Sequence, residues 1–334
     1  MITVSDFYKK KFGCKVYKLA LDAGCTCPTR DGTKSTGGCI FCSQSGSGDF
    51  AASRTMSITE QIRSAKALVE KKIRGKSGCN TGKYIAYFQN FTNTYGNPDK
   101  LERLWLEALE NADDTGIVGI DIATRPDCLS TDIVNRLVRL SERTFLTVEL
   151  GLQTANNETA RKINRCYRTS EYENAVKLLH SASNGKIHVV THIIFGLPDE
   201  TKADMLQTVR CAVNAGTDGV KCTVLHVLAG TKLAHLYQNG AFRCLKKEEY
   251  FEIVASALRL LPQSTVVHRL TGDGNKKILI APLWTANKRR VRNEMAAYLR
   301  DFDESHSKSD TVSPSMLSET SSRNSGIKAS CPEY

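Results

Sequence analysis

The chain has 334 residues, 41% apolar and 24% charged, which excludes a disordered or collagen-like chain and gives enough apolar material for one large core or two ordinary ones. No apolar run approaches the roughly eighteen residues of a membrane span, and Met1-Ile-Thr-Val-Ser-Asp-Phe lacks the order of a signal peptide, so a cytoplasmic protein with no membrane partner is expected. The formal charge of +11, with Lys and Arg collected at Lys9–Lys18, Arg63–Lys83 and Lys276–Arg300, favours an anionic partner such as nucleic acid.

In chain order, short apolar runs alternate with longer amphipathic ones. The spacing predicts strands at Val16–Leu21, Tyr84–Phe88, Ile117–Ile122, Phe145–Leu150, His188–Phe195 and Val220–Val227. Between and after them lie helical patterns at 58–74, 99–111, 130–142, 170–183, 201–215 and 246–261. Ser57 with Glu60 has the form of a capping box, and Pro98 suits a first helical turn. Strand followed by helix, six times over, predicts an α/β fold with a parallel sheet, either a closed or partial barrel or a doubly wound sheet. Beyond residue 262 the pattern changes: Val266–Leu270 can form a seventh strand and Asn287–Arg300 a basic helix. From about residue 303 the composition turns to Ser, Asp, Lys, Thr and Asn, too poor in apolar side chains to offset the entropy of ordering, which predicts a disordered tail.

Twelve cysteines require a reason. Without a secretion signal a disulfide framework is a poor one. Cys14, Cys79, Cys128, Cys166, Cys211, Cys222, Cys244 and Cys331 stand singly and read as small buried hydrophobes. Cys25, Cys27, Cys39 and Cys42 instead fall together after the first strand, in a loop containing Gly32, Gly37 and Gly38. Such a loop can wrap an inorganic centre. Four thiolates would close a structural zinc site, whereas three would hold an iron–sulfur cluster with one iron open. Polar residues recur after the other strands. They are Gln89-Asn90-Phe91-Thr92-Asn93, Thr124-Arg125-Pro126-Asp127, Gly151-Leu152-Gln153-Thr154 and Gly196-Leu197-Pro198, with His226 closing the sixth. In a (β/α) barrel these ends share one rim, where functional groups gather.

The stretches LALDAGCTCPTRDGT…GGCIFC, YFQNFTNTY, DIATRPDCL, ELGLQTANNETARKINR, THIIFGLPDET, LHVLAGTKLA and HRLTGD resemble the radical SAM superfamily, and within it the YhcC/YtqA-type proteins, relatives of the elongator catalytic subunit and the MiaB methylthiotransferases. They span about residues 15–285, and the C-x11-C-x2-C spacing of Cys27, Cys39 and Cys42 is the one that group uses. The resemblance implies a partial (β/α)6 radical SAM barrel over 1–285 with its N-terminal basic segment, a basic helix over 286–303 and a tail over 304–334. It implies a [4Fe–4S] cluster on Cys27, Cys39 and Cys42, and S-adenosyl-L-methionine cleaved there to a 5′-deoxyadenosyl radical. Gln89, Asn90 and Thr92 match the position that meets the methionine amino group. Thr124 and Arg125 match those approaching ribose or carboxylate, Gln153 lies on the same rim, and Gly196 and Pro198 match the turn beside adenine. No catalytic side chain is singled out. The implied substrate is tRNA, with wobble 5-carboxymethylaminomethyl-uridine converted to the 5-aminomethyl form, and the implied reductant a low-potential donor such as flavodoxin or ferredoxin. A radical enzyme acting on a small molecule or protein, and a zinc-stabilised nucleic-acid-binding protein, are the alternatives. Two departures stand out: Cys25 replaces an aromatic or aliphatic residue, and Asn164-Arg165-Cys166-Tyr167 replaces an N-R-G-H run, so no role is carried over there.

Overall fold

Eight strands pair side by side, all in parallel, in the computed structural model, which describes residues 1–46, 51, 53–73, 82–110, 112–272 and 274–309. The strands in chain order are β1 (Ile2–Thr3), β2 (Val16–Leu21), β3 (Lys83–Phe88), β4 (Ile117–Thr124), β5 (Phe145–Gln153), β6 (His188–Phe195), β7 (Gly219–Val224), β8 (Val227–Leu228), β9 (Val266–Arg269) and β10 (Leu279–Ala281). The large sheet runs β1-β9-β7-β6-β5-β4-β3-β2, while β8 and β10 form a separate antiparallel ribbon. The helices are α1 (Val4–Phe12), α2 (Ile58–Ile73), α3 (Pro98–Glu110), α4 (Ala112–Thr115), α5 (Thr131–Arg143), α6 (Asn157–Lys162), α7 (Thr169–Ser183), α8 (Lys202–Ala215), α9 (Lys232–Gln238), α10 (Lys247–Leu258) and α11 (Lys288–Ser309).

A parallel sheet covered on both faces reads as continuous apolar sequence, because helices pack where solvent would otherwise lie. β5 is buried along nearly its whole length for this reason. On its outer face the sheet meets helices whose apolar residues recur at helical spacing, as Ile133, Leu137 and Leu140 do on α5, and these join one core with Leu19, Phe88, Ile120, Val148 and Val189. The capping box is formed: Ser57 N–H and Oγ both reach Glu60 Oε2, at 2.8 and 3.0 Å, and Glu60 N–H returns to Ser57 Oγ.

The sheet is curled into a half-barrel. Its two edges, β1 and β2, are joined by the nine residues of α1 and a short turn, and a connection that short brings the edges towards each other. α1 lies across the barrel at the start of the strands, where Phe7, Tyr8 and Phe12 pack against Phe145, and Phe7 and Tyr8 also meet His188 and His268 respectively. One end is thereby plugged. The carboxyl ends of the strands form the other, open end.

The six expected strands are present, with instructive differences. The run read as Val220–Val227 breaks after Val224, because Leu225 N–H turns to Phe195 O and the chain then leaves to pair Val227 and Leu228 with β10. β9 supplies the seventh parallel strand, and β1 adds an eighth, too short for any periodicity to reveal. The basic helix runs on to Ser309, past the point where composition predicted loss of order, and it packs through Tyr298 on Phe251 of α10. The remainder of the expected tail, 310–334, lies outside the described residues, as do Cys79 and Cys331. Of the other single cysteines only Cys211 and Cys222 are fully buried. Among the described residues no helix is long and apolar enough to cross a membrane.

Candidate functional site

The loop after β2 is fastened at both ends. Gln61 on α2 accepts from Asp22 N–H at 2.8 Å and donates to Asp22 O at 3.0 Å, while Asn90 Nδ2 donates to Asp22 Oδ2 at 2.8 Å. Further along, Asn164 Nδ2 donates to Gly38 O at 2.7 Å, Ile40 N–H to Ile163 O at 3.1 Å, and Arg30 to Ser43 O at 2.5 Å. Gly46 ends the loop at φ +59°, where an added Cβ would stand 2.3 Å from the Phe91 ring. Held this way, Cys27, Cys39 and Cys42 all line one cavity of about 340 Å³ inside the open end of the half-barrel. Thr92 Oγ1 donates to Cys27 Sγ at 3.0 Å. Burial raises the Cys27 thiol, and burial together with Cys42 pushes that of Cys39 up to about 12. Thiols so desolvated favour the protonated form, and a metal centre that binds the sulfurs displaces the protons to solvent.

Cys25 lies apart. It does not line the cavity but packs against the main core, where burial and the nearby Asp22 push its thiol up to about 12. A closed four-thiolate zinc site requires it to turn inward. Among the described residues no three His, Cys, Asp or Glu side chains converge closely enough for a single metal ion. Three thiols spread around a cavity suit a larger inorganic cluster with one face open to the cavity. A hollow of about 1090 Å³ lies on the other side of the loop, lined by Pro28, Lys34, Asp127 and Glu171, and contains none of the three thiols.

The rim residues divide. Gln89, Thr92, Thr124, Arg125 and Gln153 line the thiol cavity. Gln153 reaches it through an irregularity in the β5–β6 register and a left-handed backbone at φ +59°, uncommon for a side chain of this kind. Arg125 is oriented by a bidentate pair with Asp127 at 2.9 and 2.8 Å and by Arg165 O at 2.8 Å. The other three do not line it. Asn90 faces the opposite way from Gln89 and is spent on Asp22. Gly196, at φ +88°, makes a tight turn whose α-carbon faces Leu245, and Pro198 follows in the same turn. Asn90 and Gly196 instead make loop and turn contacts, with Asp22 and with Leu245.

Two groups escaped the sequence reading. Arg165, in the divergent Asn164–Tyr167 segment, is fully buried and donates to the carbonyls of Leu152 and Thr154 at 2.7 and 2.5 Å and of Tyr167 at 3.1 and 2.9 Å, so it ties the ends of two loops together. The second group fills the barrel interior. Glu149 Oε1 accepts from Lys18 at 2.8 Å and from Lys221, and its Oε2 accepts from Tyr87 OH and His192 Nε2, each at 2.7 Å. Lys18 also pairs with Asp121. Burial alone would raise Glu149, but Lys18, Lys221 and His192 outweigh it and hold the carboxyl well below its usual range. Burial, reinforced by Glu149, pushes Asp121 up to about 8, and burial lowers Lys221 to about 7. A signal for this group existed: each of β2, β4, β5 and β7 carries one lone charged residue inside an apolar run, which in a doubly covered strand must face a polar interior.

A family model described as "Radical SAM superfamily" matches residues 32–212, and one described as "Radical_SAM C-terminal domain" matches 217–301. The chain is 42% identical over 289 residues to the uncharacterized protein YtqA of Bacillus subtilis, covering 86% of each. It is 26% identical over 159 residues to the tRNA uridine(34) acetyltransferase of Methanocaldococcus infernus, covering 47% of this chain and 29% of that one. Among solved structures it is similar to the archaeal Methanocaldococcus infernus Elp3 with a TM-score of 0.59 at 18% identity, over 79% of this chain and 58% of the other. Enzymes of the superfamily use a [4Fe–4S] cluster and S-adenosylmethionine, which together supply one-electron cleavage of a carbon–sulfur bond and a carbon radical able to abstract hydrogen. The curled parallel sheet, the three-thiol cavity at its open end and these matches agree: the chain belongs to the radical SAM superfamily, as a YhcC/YtqA-type protein.

Proposed function

We propose that this enzyme modifies the wobble uridine of tRNA, converting 5-carboxymethylaminomethyl-uridine to the 5-aminomethyl form, with Cys27, Cys39 and Cys42 ligating the cluster. Gln89, Thr92, Thr124, Arg125 and Gln153 hold S-adenosylmethionine. The observation that carries the site assignment is the opening of all three thiols and these five side chains onto one cavity. The tRNA assignment rests on the relative that acts on uridine 34 of tRNA. It is supported by the exposed Arg289 and Arg292 of α11, since phosphate neutralisation supplies most sequence-independent affinity for nucleic acid. Reducing equivalents come from a low-potential flavodoxin or ferredoxin.

Comparative nucleoside analysis by mass spectrometry, on tRNA from cells with and without the protein, is the direct test: the 5-aminomethyl family is lost and the carboxymethylated precursor accumulates. Unchanged wobble nucleosides refute the substrate and redirect attention to a small molecule or protein. Anaerobically reconstituted protein contains about four irons per chain and yields 5′-deoxyadenosine with dithionite. Persistence of that product in Cys39→Ala refutes the ligand set.

A further inference from the structure

Beneath the thiols the wall of the same cavity becomes charged: Tyr87, Glu149, His192, Lys221 and Arg269 all line it. His192, Lys221 and Arg269 lie in one register row across β6, β7 and β9, because His192 pairs with Lys221 and Lys221 with Arg269. The last pairing follows a register shift in β9, an irregularity of the kind that re-aims a side chain. Here His268 stands against Gly219 on the inner face while its neighbour Arg269 also reaches the cavity.

The interior charges do not balance. Among the described residues of this layer, Lys18, Lys221 and Arg269 face Glu149, which is held ionised, and Asp121, which burial pushes up to about 8 and so keeps largely protonated at neutral pH. Glu149 is saturated, with two donors on each oxygen, and Asp121 is engaged by Lys18. Arg269 lines the same cavity wall as Tyr87, His192 and Lys221, and among the described residues no carboxylate stands within ion-pair distance of it. A low-dielectric cavity with a surplus cation favours an anionic guest, and a guanidinium offers a planar fork that matches a carboxylate.

We infer that the cavity floor is a carboxylate-binding site, in which Arg269 and Lys221 grip a carboxylate carried by the substrate while Glu149 and His192 position Lys221. This deepens the preceding proposal and rests on it for the identity of the substrate, whose 5-substituent ends in such a group. The floor lies inside the barrel, below the thiols, so a group on a short flexible arm reaches it more readily than a backbone phosphate does. The ordinary lysine range, about 10.4 in water, is depressed here by burial to about 7, and an arriving carboxylate would restore the ammonium with uptake of a proton.

The test uses the full chain and two arms. In the first, fluorescence anisotropy compares anticodon stem-loop RNAs whose wobble uridine carries either 5-carboxymethylaminomethyl or its methyl ester. Wild type prefers the free carboxylate by about ten-fold, the equivalent of 1.4 kcal/mol, and Arg269→Met erases the preference. In the second, melting temperatures are taken in sodium acetate, sodium phosphate and sodium chloride at equal ionic strength, with wild type and Arg269→Met. Acetate stabilises wild type beyond any effect on the variant. Equal acetate shifts in the two proteins overturn the inference, as does a wild type that converts the tRNA but binds acid and ester alike. A shift given by phosphate and not by acetate also overturns it, in favour of a phosphate site. A wild type that leaves tRNA unchanged yet shows the acetate difference sinks the tRNA proposal and keeps the floor.

Discussion

Glu149→Gln removes the charge around which the barrel interior is assembled. In the parent, one oxygen serves Lys18 and Lys221 and the other serves Tyr87 and His192. Glutamine keeps a single acceptor oxygen, so two buried ammonium groups must share a neutral carbonyl while the amide nitrogen faces former donors. Removing one partner of a buried ion pair costs about 3–5 kcal/mol. Taking about 4 kcal/mol and a urea slope of roughly 3 kcal/mol/M, the midpoint falls by about 1.3 M. The pH dependence has a definite sign. Burial already lowers Lys221 to about 7, and without Glu149 it falls further. Between the two folded values the variant binds fewer protons than the parent while their unfolded chains match, so the variant gains stability relative to the parent as pH rises. The deficit is therefore widest near about pH 5.5, where Glu149 of the parent is fully ionised, and narrows as pH approaches the folded value of Lys221. Urea titrations followed by circular dichroism at several pH values measure both. A midpoint within about 0.3 M of the parent at about pH 5.5 refutes the reasoning, as does a deficit that widens towards neutrality.

Arg165→Met strips the buried carbonyls of Thr154 and Tyr167 of their guanidinium donor and leaves Leu152 O with Thr154 N–H alone. It lowers stability by about 3 kcal/mol or more, and Arg165→Lys recovers little, since an ammonium cannot span the same fork; thermal denaturation reads both. Asn90→Ala removes one of the side-chain bonds that hold Asp22, which leaves Gln61 and Gly24 N–H as its fasteners and loosens the cysteine loop, so iron per chain falls after reconstitution. The affinity of the loaded fraction for S-adenosylmethionine stays within about two-fold, well under 1.4 kcal/mol; a larger loss on equilibrium dialysis would restore Asn90 as a cofactor contact. Cys25→Ala keeps the full iron content and costs about 1 kcal/mol from its packed position, whereas Cys27→Ala loses iron. Gly46→Ala, at φ +59° and against the Phe91 ring, destabilises by about 1–3 kcal/mol in chemical denaturation.

What could be read without coordinates followed from periodicity. Strands such as Phe145–Gln153 stand out because both faces are covered, and the cysteine loop stands out because spacing survives any fold. Which way a rim residue faces was less accessible. Gln89 and Asn90 are neighbours in sequence, yet alternation along an extended chain sends one into the cavity and the other to Asp22. Gln153 enters through a register irregularity that no local pattern announces. Lys18 ends a basic run in the sequence, yet it sits inside the barrel paired with Asp121 and Glu149, partners more than a hundred residues away. The two-residue β1 was invisible because its pairing depends on Val266 and Val267, at the far side of the sheet.

That last pairing bears on the order in which the barrel can be assembled. Strands β2 to β7 each dock beside a neighbour already adjacent in the chain, so the sheet can grow by short steps from one edge. β1 finds its strand partner when β9 has taken its place beside β7, and only then does Tyr8 of the helix that stoppers the strand starts meet His268. Closing so distant a contact is slow, because the intervening chain must be ordered before the contact rewards it. Until that moment the aromatic stopper of Phe7, Tyr8 and Phe12 has no completed socket, and a ribosome-bound or truncated chain lacking β9 would expose it to chaperones and to its own neighbours.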